Sequence, residues 1–499
     1  MFEKEWVSDV ISDNEIRNWN VGDVITIKAK PGQGKSFFIK NKLYAYAKKR
    51  NEKILFLLHR DNTVSQFRNE ILREGKEDTI DIRTYQYIEQ ALMYRRGFDI
   101  SEYKYIVVDE AHYFISDSTF NNRTDISFEA IMSQNSSVRI FMSATIDDIQ
   151  EYITIGNNIK TKNYCIRQND NRVSELTFYN NDDMLDEVAA RVVHSGEKAI
   201  FFINKARKAY DLYRRFRSHA LFNCSKSNPL YRYVDEEAIE IMLTKEKFDV
   251  PLLITTSCFD AGSNIVDTEV KHIVIDMRDV DTIIQCAGRK RVQSEDDTFH
   301  LYIKNITNQQ LGGFESSSSR KLAMARYLLE HSSEELVKKY PRQNDASGVI
   351  FDALVDGQIE KKINKLMYLK KSKDIELYRK MKNLGEYGFS KYVASVFGFD
   401  DEGIGKRDFH IANDNFSLTN YLDSMVGSVM LCRTDRKELI DKLDVRQNGH
   451  ILKGIDSINA ALNERRMPYR VVEFSTSRMV DGKKKNFKSA WKIEKLEEK

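Results

Sequence analysis

The stretch Ala29-Lys30-Pro31-Gly32-Gln33-Gly34-Lys35-Ser36 has the residue types and spacing that hold phosphate. An apolar run, Val24 to Ile27, precedes it, and Phe37 to Leu43 follows with helical character. The pattern therefore reads strand, glycine-bearing turn, helix. Such a turn points backbone N–H groups inward as a nest for phosphate oxygens, and the helix adds its positive end. Lys35 would reach the β- and γ-phosphates of ATP, and the Ser36 hydroxyl would hold Mg2+. Gly32 and Gly34 allow close backbone approach, with Gln33 between them in the cradle. The plainer alternative is a strand–helix turn that happens to carry a glycine, a lysine and a serine.

A second chemical signal is Asp109-Glu110-Ala111-His112, directly after the apolar run Tyr105–Val108. An acid pair at the C-terminal end of a buried strand lies beside a phosphate loop in an α/β sheet. Asp109 would bind Mg2+, largely through water, and Glu110 would orient and deprotonate an attacking water. His112 is placed to couple this site to whatever lies across the cleft. The competing reading is a solvated acidic loop.

The elements that must position these groups recur along the chain. Ile54–Leu58, Ile80–Ile82, Tyr105–Val108 and Val138–Met142 are short, β-rich and bounded by polar residues. This spacing predicts buried parallel strands with crossover helices over residues 1–165. A second series, Ala199–Ile203, Leu252–Thr255, His272–Ile275 and Phe299–Ile303, predicts another α/β domain over 166–312 without its own phosphate loop. Gly312-Gly313-Phe314-Glu315 and the serines Ser316–Ser319 read as a flexible junction. Residues 320–430 read as a Tyr/Lys-rich helical accessory region with no strands, more a packed domain than a stacking platform.

Composition bounds the function. A chain of 499 residues exceeds one core, and 41% apolar content suffices for several folded domains. The net charge is only +3, but residues 432–499 carry 17 Lys/Arg against 11 Asp/Glu. Cys165, Cys224, Cys258, Cys286 and Cys432 lie far apart, so zinc or iron–sulfur ligation is not indicated, and scattered thiols suit a reducing compartment. No run of 18 apolar residues occurs and the N-terminus does not read as a signal peptide, which predicts a cytoplasmic, membrane-free protein.

With these motifs in hand, the sequence resembles the superfamily 2 helicases over about residues 20–310. Lys35 and Asp109 resemble the two nucleotide motifs, and Asp109–His112 spells the DEAH tetrapeptide. The resemblance implies that Ser143-Ala144-Thr145 links hydrolysis to strand movement. It implies that in the run 256–265 Thr256 touches nucleic-acid phosphate, with Gly262 and Asn264 at the nucleotide sugar. Gln285-Cys286-Ala287-Gly288-Arg289-Lys290-Arg291 resembles the motif that supplies arginines to the γ-phosphate. Arg60, Thr84 and Asn204 fall where the family contacts the strand backbone. His112, Ser143, Thr145 and Gln285 would form the coupling set. The usual arginines stand three apart; here Arg289 and Arg291 are two apart, both remain candidates for the finger, and elimination favours Arg291. The upstream adenine-reading glutamine of the DEAD-box RNA helicases is missing.

The tail reads helix over Arg436–Leu443, helix over Ile451–Arg466, then strands Tyr469–Phe474 and Phe487–Ile493 around a turn with Asp481 and Gly482. With Lys483, Lys484 and Lys485 in that turn, residues 432–499 suit a small α+β, winged-helix-like module whose basic wing meets phosphates. The fold expected is thus α/β: two tandem RecA-like parallel-sheet domains, a helical accessory region and this module. The implied protein is an ATP-dependent DNA helicase or translocase on single-stranded or forked DNA. It resembles replication, recombination or repair helicases of phages and mobile elements, and its C-terminal third is a candidate for a protein partner. If phage-encoded, it would work in the host cytoplasm. An RNA helicase and an ATP-switched clamp are the alternatives.

Overall fold

The computed structural model describes residues 5–59, 61–94, 97–116, 121, 123–166, 172–257, 264–294, 296–342, 348–399, 407–412, 421–423, 425–443, 445–447, 450–464, 467–480 and 483–496. Arg60 and Gly262 lie outside these residues, as does the side chain of Lys483.

Every strand expected in residues 1–165 is present. The first sheet comprises β1 (Val24–Lys28), β2 (Ile54–Leu58), β3 (Ile80–Thr84), β4 (Tyr105–Asp109), β5 (Val138–Ser143) and β6 (Thr161–Cys165). Their order is β3-β2-β4-β5-β1-β6, and each pair is parallel. Successive side chains feed opposite faces: Phe56 and Leu58 join the core with Ile25, Ile27 and Phe38, whereas Leu55 and Leu57 join Ile106, Val108 and Phe141. Burial on both faces is why these strands read as continuous apolar runs. Parallel order places every strand's C-terminal end on one edge, where the loops after β1, β4 and β5 meet.

The second sheet holds β7 (Val173–Tyr179), β8 (Lys198–Ile203), β9 (Ala220–Asn223), β10 (Leu252–Thr255), β11 (Val270–Asp276) and β12 (Phe299–Lys304), ordered β7-β12-β11-β8-β10-β9. These are two tandem RecA-like sheets. The strands β6, β7 and β9 were not legible in the sequence. β6, whose sequence is Thr-Lys-Asn-Tyr-Cys, borders a single neighbour and is half exposed, so it lacks an apolar run.

Two expectations for the following segment are corrected. Gly312–Ser319 is no flexible junction; it lies inside a helix running Asn308–Glu330. A capping box between Thr307 and Gln310 starts this helix, and Leu311, Ser318, Leu322 and Ala325 are buried along it. Glu315 is held by Arg379 at 2.7 Å and Lys382 at 2.6 Å, from the helix Lys365–Asn383. Tertiary packing overrides the weak propensity of Gly and Ser. The accessory region also contains a hairpin, Ile350–Val355 with Gln358–Ile363, turning through Asp356 and Gly357, both at positive φ. Its exposed, lysine-bearing strands hid that pattern.

Packing divides the chain into two units, one of residues 1–176 and 191–409, the other of 177–190 and 410–499. The second unit has its own core, including Leu439, Leu443, Ile458, Leu462, Tyr469, Val471, Trp491 and Ile493. Helices Lys437–Leu443 and Ile455–Glu464 precede a long hairpin, Tyr469–Val480 with Lys483–Lys495, to which Val429–Met430 adds a third strand. Asn459 clamps the second helix to the hairpin, donating to Val471 O at 2.9 Å and accepting from Val471 N at 2.8 Å. The hairpin is longer than the sequence suggested: Lys483, Lys484 and Lys485 belong to its strand, not to the turn. Among the described residues no helix is long and apolar enough to cross a membrane.

Candidate active site

The loop after β1 closes as its glycines require. Gly32 has φ 87° and Gly34 φ 80°, the left-handed region that side chains disfavour. Gln33 is fully buried: its Oε1 accepts from Lys30 N at 2.5 Å and its Nε2 donates to Ile166 O at 3.3 Å. Gln33 therefore shapes the loop from behind. The helix that follows begins at Lys35. Lys35 is buried, with Nζ 3.0 Å from Ala29 O and 3.7 Å from Glu110 Oε1.

Across from it, the loop after β4 holds a strained residue. Glu110 has φ 51°, a conformation costing about 1–2 kcal/mol for a non-glycine residue. It is fixed from both sides: Tyr85 OH donates to Asp109 O at 2.5 Å, and Ala111 N donates to Met142 O at 2.8 Å. Burial, with Glu110 beside it, pushes the Asp109 carboxyl above its ordinary range. Burial works in the same sense on Glu110, but Lys35, His112 and Arg289 outweigh it and hold that carboxyl well below the usual range. Asp109 Oδ1 is buried with no hydrogen-bond partner. An unpartnered carboxylate oxygen facing a phosphate loop with Ser36 on its rim suits a hard divalent cation.

His112 ties this loop to its neighbours. Its Nδ1 lies 2.9 Å from Ser143 Oγ at the end of β5 and 3.4 Å from Glu110 Oε2, while its Nε2 lies 2.7 Å from Gln285 Nε2. Ser143 Oγ in turn accepts from Thr145 N at 3.1 Å. The four residues expected to form a coupling set thus adjoin one another.

Gln285 comes from a helix of the second sheet, Val280–Ala287, which leads into the arginine motif. Gly288 packs so close to Pro31 that a Cβ there would lie 3.0 Å from the proline ring. Arg291 reaches further: a Cβ on Gly32 would lie 3.1 Å from one of its terminal nitrogens. Arg291 Nε donates to Asn264 Oδ1 at 2.8 Å, so Asn264 aims the guanidinium. Lys290 points the other way, fully buried, with Nζ 2.6 Å from Asp297 Oδ1 and 2.9 Å from Asp267 O. That inward anchor is the physical reason two arginines spaced by two share one side. Burial, with Arg289 and Arg172 nearby, lowers Arg291 to about 9, still a cation at neutral pH. Arg289 Nε and a terminal nitrogen of Arg291 are buried without partners. Unpaired cationic donors converging on a phosphate loop fit an incoming anion.

One cleft of about 1060 Å³ is lined by Lys35, Ser36, Asp109, Glu110, Gln285, Arg289 and Arg291 together with Asn204 and Thr256. Thr84 instead caps a helix, accepting from Tyr87 N at 3.0 Å. Sequence reasoning missed Trp6, which lies 3.0 Å from the Cβ position of Gly34, and Arg172, which lies near Arg291. Trp6 gave a faint signal as an early tryptophan in a polar segment; Arg172 gave none.

Residues 3–148 match the family model described as "Type III restriction enzyme, res subunit". No curated protein matches the chain. Among solved structures, S. cerevisiae Dbp5 bound to RNA and ADP BeF3 is 15% identical, with a TM-score of 0.42 over 56% of this chain and 78% of that one. The helicase MrfA bound to DNA and AMPPNP is 14% identical, with a TM-score of 0.46 over 74% of this chain and 61% of that one. Mycobacterium smegmatis helicase Lhr bound to single-stranded DNA and AMP-PNP is 15% identical, with a TM-score of 0.37 over 61% and 43% respectively. The family match thus covers the first five strands of the first sheet, and the second sheet turns Arg291 toward the same phosphate loop.

Proposed function

We propose that the chain is an ATP-dependent helicase or translocase, acting on DNA, that hydrolyses ATP between its two RecA-like sheets. The observation that carries this reading is the pair of unpartnered arginine donors on the cleft, Arg291 held against the phosphate loop at Gly32 and Arg289 near Glu110. ATP would lie with its β- and γ-phosphates on the loop 29–36 and Lys35. Bound Mg2+, held by Ser36 and Asp109, would neutralise phosphate charge. Glu110, kept ionised by its neighbours, orients the attacking water and takes its proton. Arg291 stabilises charge on the leaving phosphates, and Arg289 supports it.

Because these groups come from two sheets, the site is complete only when the cleft is closed, which makes hydrolysis a cycle of opening and closing. A strand gripped alternately by the two domains would then be stepped along, through phosphate contacts largely blind to sequence. Asn204 and Thr256, at the ends of β8 and β10 and on the same cleft, are candidates for that grip. The preference for DNA rests on reading the second unit's helices and hairpin as a winged-helix-like module; its lysines alone would meet either backbone. An ATPase titration with single-stranded DNA, duplex DNA and RNA, beside an unwinding assay, tests the reading. Stimulation by DNA with strand separation is expected. Stimulation by RNA alone would reassign the substrate, and ATP turnover without unwinding or translocation would make the chain a clamp.

A further inference from the structure

One accessory helix, Lys365–Asn383, touches both sheet domains. Leu366, from its first turn, is buried in the first domain's core with Phe114, Phe128, Ile149 and Ile153. Lys373 Nζ lies 2.8 Å from both carboxylate oxygens of Glu151 in the same domain. One turn earlier, Lys370 points to the second domain, with Nζ 3.3 Å from Asp279 Oδ2, and it is braced on its own helix by Asp374, whose Oδ1 lies 3.0 Å away. Lysines three apart on a helix project from neighbouring positions, so a single rigid element grips both halves.

What Lys370 holds is specific. The other oxygen of Asp279 caps the helix Val280–Ala287, accepting from Thr282 N and Thr282 Oγ1 at 3.0 Å each. That helix carries Gln285, which meets His112, and it runs directly into Arg289 and Arg291. The accessory helix therefore fixes the head of the element whose tail completes the site. The Lys370 side chain is 14% exposed and that of Asp279 36%, so water reaches the tie from the aspartate side only.

We propose that Lys370 is a positioning residue for hydrolysis: through Asp279 it sets where Gln285 and Arg291 stand, while Lys373 and Leu366 reference the same helix to the first domain. This rests on the reading of the cleft as an ATPase site. The lysine touches no reacting group; it acts by fixing the distance at which the cleft closes.

The test measures kcat for ATP and, separately, the affinity for a fluorescent ATP analogue in full-length protein. Lys370→Met should lower kcat on the order of 10-fold, within the range that small misplacements cost, with nucleotide affinity within about twofold. Lys370→Arg should restore most of the rate because the charge returns. Asp279→Asn keeps the helix cap but loses the ion pair, and should reproduce the Lys370→Met loss even if that variant fails to fold. Parental kcat in Lys370→Met or Asp279→Asn would overturn the proposal. So would an Arg variant as slow as Met, or a parallel loss of nucleotide binding, which a merely structural role would produce. A parent protein without ATP turnover would instead overturn the ATPase reading itself.

Discussion

Gln285 Nε2 lies 2.7 Å from His112 Nε2, joining the second sheet's helix to the acid loop of the first. With the amide nitrogen donating there, the ring nitrogen that meets it accepts, and the imidazole proton sits on Nδ1. From Nδ1 it can serve Ser143 Oγ at 2.9 Å or Glu110 Oε2 at 3.4 Å. The imidazole thus reads three elements at once: the proposed catalytic carboxylate, the end of β5 and the opposite domain.

Gln285→Ala removes that cross-cleft bond without touching Lys35 or Glu110. A neutral hydrogen bond of this kind is worth about 1 kcal/mol, so nucleic-acid-stimulated turnover should fall roughly fivefold. Nucleotide affinity should change less. ATPase rates with and without single-stranded DNA check this, and parental stimulation would show that the bond does not couple the domains.

Lys35→Ala should abolish measurable hydrolysis by removing the charge on the β- and γ-phosphates. The lysine is more buried than a loop position suggested, bonded to Ala29 O and near Glu110, so a melting shift equivalent to about 1 kcal/mol is also expected. Glu110 remains one-third exposed and can be rehydrated. Parental ATP turnover in this variant would show that the loop does not hold the reacting phosphates.

Glu110→Gln keeps the shape and removes the base. It should bind ATP and Mg2+ yet hydrolyse slowly, and hold single-stranded nucleic acid more tightly with ATP because the cleft stays closed. Nucleotide-binding and strand-retention assays decide; weakened ATP affinity would instead make Glu110 a metal or structural group.

The arginine motif makes a prediction for each of its three cations. Arg291→Ala should cost on the order of 10³–10⁵ in kcat and Arg289→Ala less, because the atoms nearest the Cβ position of Gly32 are those of Arg291. Lys290→Ala should instead destabilise the fold by about 3–5 kcal/mol, since it strands the buried Asp297 carboxylate. Turnover and thermal melting of the three variants separate these roles. An Arg289→Ala defect exceeding that of Arg291→Ala would reverse the finger assignment.

The reach of the sequence follows from which physics is local. Lys35, Asp109 and Glu110 were readable because a phosphate loop and an acid pair after a buried strand are local patterns, and β2 and β4 because both their faces are covered. Lys290 was unreadable as an anchor, since its partner Asp297 matters only once Asp267 and Asp297 converge. The Gly312–Ser319 stretch misled because its helix is stabilised by Glu315 ion pairs and by burial against distant residues. The Lys370–Asp279 tie, spanning about a fifth of the chain, left no trace except a capping Asp three residues before Thr282.

The hairpin of the second unit carries the last prediction. Lys484 and Lys485 are exposed on its second strand, and Lys485 stands directly opposite Arg478. Like charges facing each other across a strand pair destabilise it, which an anionic partner would relieve. On the proposed reading this hairpin is a wing that meets phosphates. Reversing charge at Lys484 and Lys485 to Glu should then weaken forked-DNA binding and make its salt dependence shallower by about 0.9 for each phosphate that is no longer neutralised. ATP turnover without nucleic acid should be retained, because the nucleotide motifs lie in the other unit. Binding titrations over a range of salt concentrations provide the measurement. Unchanged affinity and an unchanged slope would remove the hairpin from the DNA interface and leave the second unit as a docking module for a protein partner.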